Sequence, residues 1–145
     1  ARTVTLRGAW LAGWALGSTT MGLHHKLAHV LGGTYHLPHA AVHSVLLPHV
    51  AAFNAPAAPG PFSCAARALG VNEPGAVGPA LFQLATRLQA PTSLADLGLE
   101  LDAIEVVAKT VVGAPVANPR VFTEEDVTYL VRQAYLGKQP LRERN

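Results

Sequence analysis

The first 72 of the 145 residues contain no aspartate and no glutamate; the first acidic side chain is Glu73. Charge is scarce throughout, at 14% of residues against 50% hydrophobic. That balance excludes a disordered chain, which needs low hydrophobicity and high charge. It also leaves few side chains to solvate a free domain of this size, so a surface that packs on something else is expected. Basic runs are missing too. The net charge of +2 comes from scattered residues, which excludes a nucleic-acid footprint. Cysteine is almost absent: Cys64 stands alone, so there is no disulfide framework, and a reducing, cytoplasmic compartment is expected. Long hydrophobic runs are missing as well. The uncharged stretch from Gly8 to Leu23 falls short of the roughly 20 apolar residues of a membrane span. With Arg2 and Arg7 ahead of it, this stretch mimics a signal peptide, but no small-residue cleavage site follows. A buried helix is expected there, and no membrane partner.

Period-two alternation is also absent, as are a G-x-G-x-x-G loop, a Walker loop and any internal repeat. What remains is helical spacing. Segment 4–17 places Leu6, Trp10, Leu11, Trp14 and Leu16 at helical intervals, and its Trp10, Gly13, Trp14, Gly17 stripe reads as a helix-packing surface. A second helix over 21–31 is expected to stop at Gly32-Gly33. Pro38 opens a third, which Pro48 is expected to kink or restart. Ala51 to Gly60 reads as an Ala/Pro-rich connector. Further helices are predicted over 61–69, 74–89, 100–112 and 123–136, with capping-box candidates at Ser93/Asp96 and Thr123/Asp126, and a frayed polar tail over 138–145. The predicted fold class is all-α: a single helical domain, 1–145, of about seven helices.

All seven histidines lie between His24 and His49, in the half of the chain that has no acid. His25 and His29 are four apart, so they share one face of the second helix; His39 and His43 repeat the spacing on the third. The turn from Gly32 to Pro38 lets the two helices meet at an angle. At the start of its helix, His39 feels a dipole that disfavours imidazolium and keeps a ring nitrogen free to accept. A metal site, a polar active site and a set of backbone-satisfied core histidines all fit one H-x-x-x-H pair. Two such pairs around a Gly-Gly turn favour a functional site. The missing carboxylates argue against a complete metal site within this chain, since metal-bound histidines commonly lean on one. Lys26, between these histidines, reads as solvated and Arg120 as structural.

The stretch Met21 to Gly33, with His25 and His39 fourteen residues apart, resembles the second signature of iron-containing alcohol dehydrogenases. Leu47-Pro48-His49-Val50 and Asn54-Ala55-Pro56-Ala57-Ala58 extend the resemblance. His24-His25-Lys26-Leu27, Gly8-Ala9-Trp10-Leu11 and Val116-Ala117-Asn118-Pro119-Arg120 are similar to the maleylacetate reductase branch. The resemblance implies a helical domain that follows a nucleotide-binding domain, with substrate and metal in the cleft between them. It implies metal-ligand positions at His25 and His39, an active-site histidine at His29 facing nicotinamide and substrate, and substrate-binding roles for His24 and His43. It also implies NADH and a divalent metal, Fe or Zn, as cofactors, neither fully held by this chain. The further Asp and His ligands of the family lie upstream of Ala1. The expected partners are a small-molecule substrate and either a chain carrying the nucleotide-binding domain or a second copy of this one. Two departures put the inherited substrate in question: Ala28 stands where the branch often has Cys, and Ala41-Val42 where it often has an acid and Thr.

The expected activity is therefore part of an NADH-dependent reduction of maleylacetate to 3-oxoadipate, not performed by this chain alone. Two alternatives stand beside it. One is a stand-alone small-molecule-binding protein or cofactor-free acid–base enzyme, an isomerase or cyclase. The other is a non-catalytic module that buries its histidine face against a copy of itself.

Overall fold

The computed structural model describes residues 1–141; the last part of the predicted tail, 142–145, lies outside the described residues. Seven α-helices make up the fold, with no strand among the described residues. They are α1 (Arg2–Gly17), α2 (Leu23–Thr34), α3 (His39–Asn54), α4 (Pro59–Leu69), α5 (Val77–Arg87), α6 (Ala103–Val112) and α7 (Glu124–Tyr135). The all-α expectation holds.

The main core lies between α2, α3, α6 and α7. Leu23, Leu27 and Leu31 of α2 meet Val42, Val45 and Leu46 of α3, Ile104, Val107 and Val111 of α6, and Val127, Leu130 and Val131 of α7. Each fully buried Leu, Ile or Val contributes roughly 1.5–3 kcal/mol from removal of its apolar surface from water. A smaller cluster joins Ala51, Ala66 and Val77 with Phe62, Leu69 and Leu81, so α4 and α5 pack on the far half of α3.

Several sequence expectations fail in instructive ways. The second helix does not stop at Gly32-Gly33; it runs to Thr34, and the chain reverses only at His36, at φ 55. Packing of Leu27, Ala28, Val30 and Leu31 outweighs the low helix propensity of the glycine pair. Pro48 neither ends nor restarts α3, which continues through it to Asn54. Its missing N–H leaves one carbonyl of the preceding turn without a helical partner, and burial of Pro48 with residues 49–54 outweighs that loss. Ala51 to Asn54 is therefore the buried last turn of α3 rather than a connector, and a short 3-10 turn, Ala55–Ala57, leads directly to α4.

The remaining helices follow the sequence more closely. The predicted helix over 74–89 becomes a 3-10 turn, Pro74–Ala76, followed by α5. Gly78 lets α5 cross α3 closely: a Cβ there would stand 2.6 Å from the Pro48 carbonyl oxygen and 2.7 Å from Ala52 Cβ. The Ser93/Asp96 pair caps no helix. The Asp96 N–H does reach Ser93 Oγ at 3.2 Å, but the Ser93 hydroxyl donates to the Tyr135 carbonyl at 2.8 Å and ties the loop to the end of α7. Thr123 and Asp126 form the full capping box expected of them, and α6 begins three residues later than predicted, leaving Leu101 exposed.

The largest discrepancy is α1. A buried helix was expected, yet none of its residues is buried. Among the described residues the Trp10–Gly13–Trp14–Gly17 stripe packs on nothing: both tryptophans are about two-thirds exposed, and a Cβ at Gly13 or Gly17 would meet no atom within 4 Å.

Candidate active site

Helix α2 starts from Gly22, held in an extended conformation, with no side-chain cap and no acid in its first turn. Residues 116–120 hold this start in place. A Cβ on Gly22 would stand 3.0 Å from the Ala117 carbonyl oxygen, so glycine permits the close approach. Segment 116–120 is tied in turn to the end of α3. Asn54 and Asn118 bond reciprocally: Asn54 Nδ2 donates to Asn118 Oδ1 at 3.0 Å, and Asn118 Nδ2 to Asn54 Oδ1 at 2.7 Å. Asn118 Nδ2 also donates to the Arg120 carbonyl at 2.7 Å. Arg120 donates to the Phe53 carbonyl at 3.2 Å and stacks over the Phe53 ring at 4.2 Å. Sequence reasoning picked out both stretches as motifs but did not join them. The signal available was one amide in each, 64 positions apart.

With α2 and α3 so placed, five imidazoles converge: His24, His25 and His29 from α2, His39 and His43 from α3. His43 is the hub. Its ring centroid lies 4.5 Å from His39, 4.7 Å from His24 and 5.1 Å from His25. His29 stacks on His39 at 6.1 Å and lies 6.3 Å from His25. His29 and His39 are exposed, while His24, His25 and His43 are half-buried. All five candidate site residues of the sequence thus share one face. His36 and His49 stand outside these ring contacts.

Their chemistry follows from geometry. The Nε2 atoms of His39 and His43 are 3.1 Å apart, so one must donate and the other accept, and a proton can pass between them. His24 Nε2 approaches the His43 carbonyl at 3.4 Å. A carbonyl only accepts, so His24 carries its proton on Nε2 and presents Nδ1 as an acceptor when neutral. Burial, with the neighbouring His43 ring, lowers the His24 pKa to about 4. Burial also lowers that of His43, and His39, His25 and His29 crowd it further. Both rings are therefore neutral at physiological pH. His24 also borders an open cleft of about 500 Å³, shared with Thr20, Gly22, Asn54 and Asn118.

A metal does not fit this donor set on its own. Among the described residues no three His, Cys, Asp or Glu side chains are arranged to hold one. His25 and His39 both reach the cluster, but His39 is committed to His43. No G-x-G-x-x-G loop occurs in the sequence either.

A second polar feature lies further along α3. His49 is buried, and its Nε2 has no hydrogen-bond partner. Burial lowers its pKa to about 4. Its ring lines a cavity of about 250 Å³ between α3 and α7, together with Phe53, Asp126, Tyr129, Leu130 and Gln133.

A helical domain that aims two H-x-x-x-H pairs at one point is the C-terminal portion of a known dehydrogenase fold. The chain belongs to the iron-containing alcohol dehydrogenase family: residues 1–135 match that family's C-terminal domain. Among its relatives, maleylacetate reductase 2 of Cupriavidus pinatubonensis is 49% identical over 140 residues, which is 97% of this chain and 39% of that protein. The maleylacetate reductase of Sphingobium indicum is 45% identical over 141 residues, again 97% and 39% of the two chains. The crystal structure of maleylacetate reductase from Agrobacterium tumefaciens superposes with a TM-score of 0.85 at 41% identity, over 92% of this chain and 37% of that one. The chain thus spans about two-fifths of the length of these relatives. No helix among the described residues is long and apolar enough to cross a membrane.

Proposed function

We propose that this chain is the histidine-bearing wall of a maleylacetate reductase-like oxidoreductase. The observation that carries this reading is the convergence of five imidazoles on one face without a carboxylate among their contacts. The overall change is addition of a hydride to one carbon and a proton to the other carbon of a carbon–carbon double bond. The hydride would come from NADH held outside this chain. His29, exposed at the edge of the cluster, faces the region where nucleotide and substrate would meet. The His39–His43 pair relays a proton toward the reacting carbons. His24, with Nδ1 free to accept, holds an enol or hydroxyl proton rather than a carboxylate. A substrate carboxylate suits the uncapped start of α2, where backbone N–H groups and the absence of acid favour an anion. The partner implied is a polypeptide portion that carries the nucleotide, and the substrate class is a small unsaturated dicarboxylate.

The cavity beside His49 favours a second reading, a stand-alone binder of small, mostly apolar molecules. One experiment separates the two. In histidine-ring NMR spectra of the chain titrated with 3-oxoadipate, the first reading predicts shifts at His24, His25, His29, His39 and His43, with His36 and His49 unmoved. Shifts confined to His49, or none at all, would contradict it.

A further inference from the structure

We infer that the cavity between α3 and α7 is an accessory binding site for a phenol, a neutral single-ring aromatic carrying one hydroxyl. The inference deepens the small-molecule reading above and does not rest on the proposed reaction. Two helix stripes build the site. His49 and Phe53 stand one turn apart on α3, while Asp126, Tyr129, Leu130 and Gln133 follow the i, i+3, i+4, i+7 spacing of one face of α7. Between the stripes lies a space of about 250 Å³. His49 follows His43 by six residues, which turns it roughly 120° around α3 from the histidine cluster. The cavity is therefore a separate site.

Three features select the occupant. The first is the imidazole. His49 is only 4% exposed, its ring borders the cavity, and its Nε2 has no hydrogen-bond partner. A buried polar atom left in that state costs stability, and a ligand that bonds it removes the cost. Burial holds the ring neutral, with its pKa at about 4, so it carries no charge to attract an anion. A hydroxyl both donates and accepts, so it matches either tautomer of a neutral imidazole. The second feature is the charge in the lining. The Asp126 carboxylate is fixed there by the Thr123 N–H at 2.8 Å and the Thr123 hydroxyl at 3.0 Å. It repels carboxylates, which excludes the dicarboxylate of the proposed reaction. The third is shape. Phe53 and Tyr129 present rings that suit an aromatic guest. An apolar cavity of about 150 Å³ already accepts benzene, so this larger one has room for a substituted ring.

The test is a titration of the 145-residue chain with phenol, toluene and benzoate, followed by NMR of the histidine rings and of the Leu130 methyl groups. Phenol and toluene share size and shape and differ in the hydroxyl; benzoate adds the charge. The expected result is a saturable shift of the His49 ring and the Leu130 methyls by phenol, with His24, His25, His29, His39 and His43 unmoved. Phenol should bind about tenfold more tightly than toluene, and benzoate should not bind. His49→Leu removes the hydrogen-bonding ring and keeps an apolar wall, so in that variant the order should reverse and toluene should bind more tightly. An unmoved His49, binding of benzoate, or a phenol preference that survives His49→Leu would overturn the inference. Toluene binding as tightly as phenol to the unaltered chain would overturn it too, but would leave the broader reading of an apolar binder standing; binding by neither would overturn both.

Discussion

Two histidines, His24 half-buried and His49 buried, make the folded chain sensitive to acid. His24 and His49 are held near pKa 4 by burial, against about 6.5 in an unfolded chain. Between those values the unfolded chain binds more protons than the folded one, so acid favours unfolding. Stability should be full above about pH 6.5 and fall as the pH drops toward 4, by at most ~1.4 kcal/mol per pH unit for each ring. Urea denaturation across that range measures it. His49→Leu should flatten the slope. It should also raise stability at pH 7 by about 1 kcal/mol, because it removes an imidazole nitrogen with no partner. At the C-terminal end of α3, Asn118→Ala leaves the buried Asn54 amide unsatisfied and should cost about 1–3 kcal/mol in the same assay. Residue types and local spacing were legible at this scale: the two H-x-x-x-H pairs identify the cluster from sequence. The acceptor left on His24 and the Asn54–Asn118 pair were not, because each depends on how separate elements are set against each other; the His39–His43 bond lies within α3, but it depends on side-chain rotamers that spacing does not fix.

At the level of the element, local rules held where nothing larger opposed them. Thr123 and Asp126 start α7 as their spacing predicts, and Gly70, at φ 72, ends α4. Thr123→Ala should lower stability by about 1 kcal/mol in thermal or denaturant unfolding. The rules failed where burial outweighed them. Gly32-Gly33 and Pro48 are breakers in an isolated peptide, yet both lie inside helices whose buried faces complete the core. The crossing of α3 and α5 makes the same point in reverse. Nothing in the local sequence marks Gly78, but Gly78→Ala would drive a methyl to 2.6 Å from the Pro48 carbonyl oxygen. It should destabilise the chain by roughly 1–3 kcal/mol through overpacking, and unfolding midpoints would register the loss.

At the scale of the molecule, the all-helical class and the family were legible because the central motif fixes spacing on two adjacent helices. The fate of α1 was not. Its apolar periodicity marks a helix that wants cover but says nothing about what covers it, and among the described residues nothing buries it. Of the departures at Ala28, Ala41 and Val42, two are placed by the core. Ala28 and Val42 are fully buried in the core, behind the imidazoles rather than among them. The central claim is tested most directly by replacing the matching C-terminal segment of the Cupriavidus reductase with this chain and following NADH oxidation on addition of maleylacetate. The account predicts turnover by the chimera, reduced by about 10²–10⁴-fold in its His29→Ala variant; a folded chimera that binds NADH but does not reduce maleylacetate, or one indifferent to the loss of His29, would contradict it.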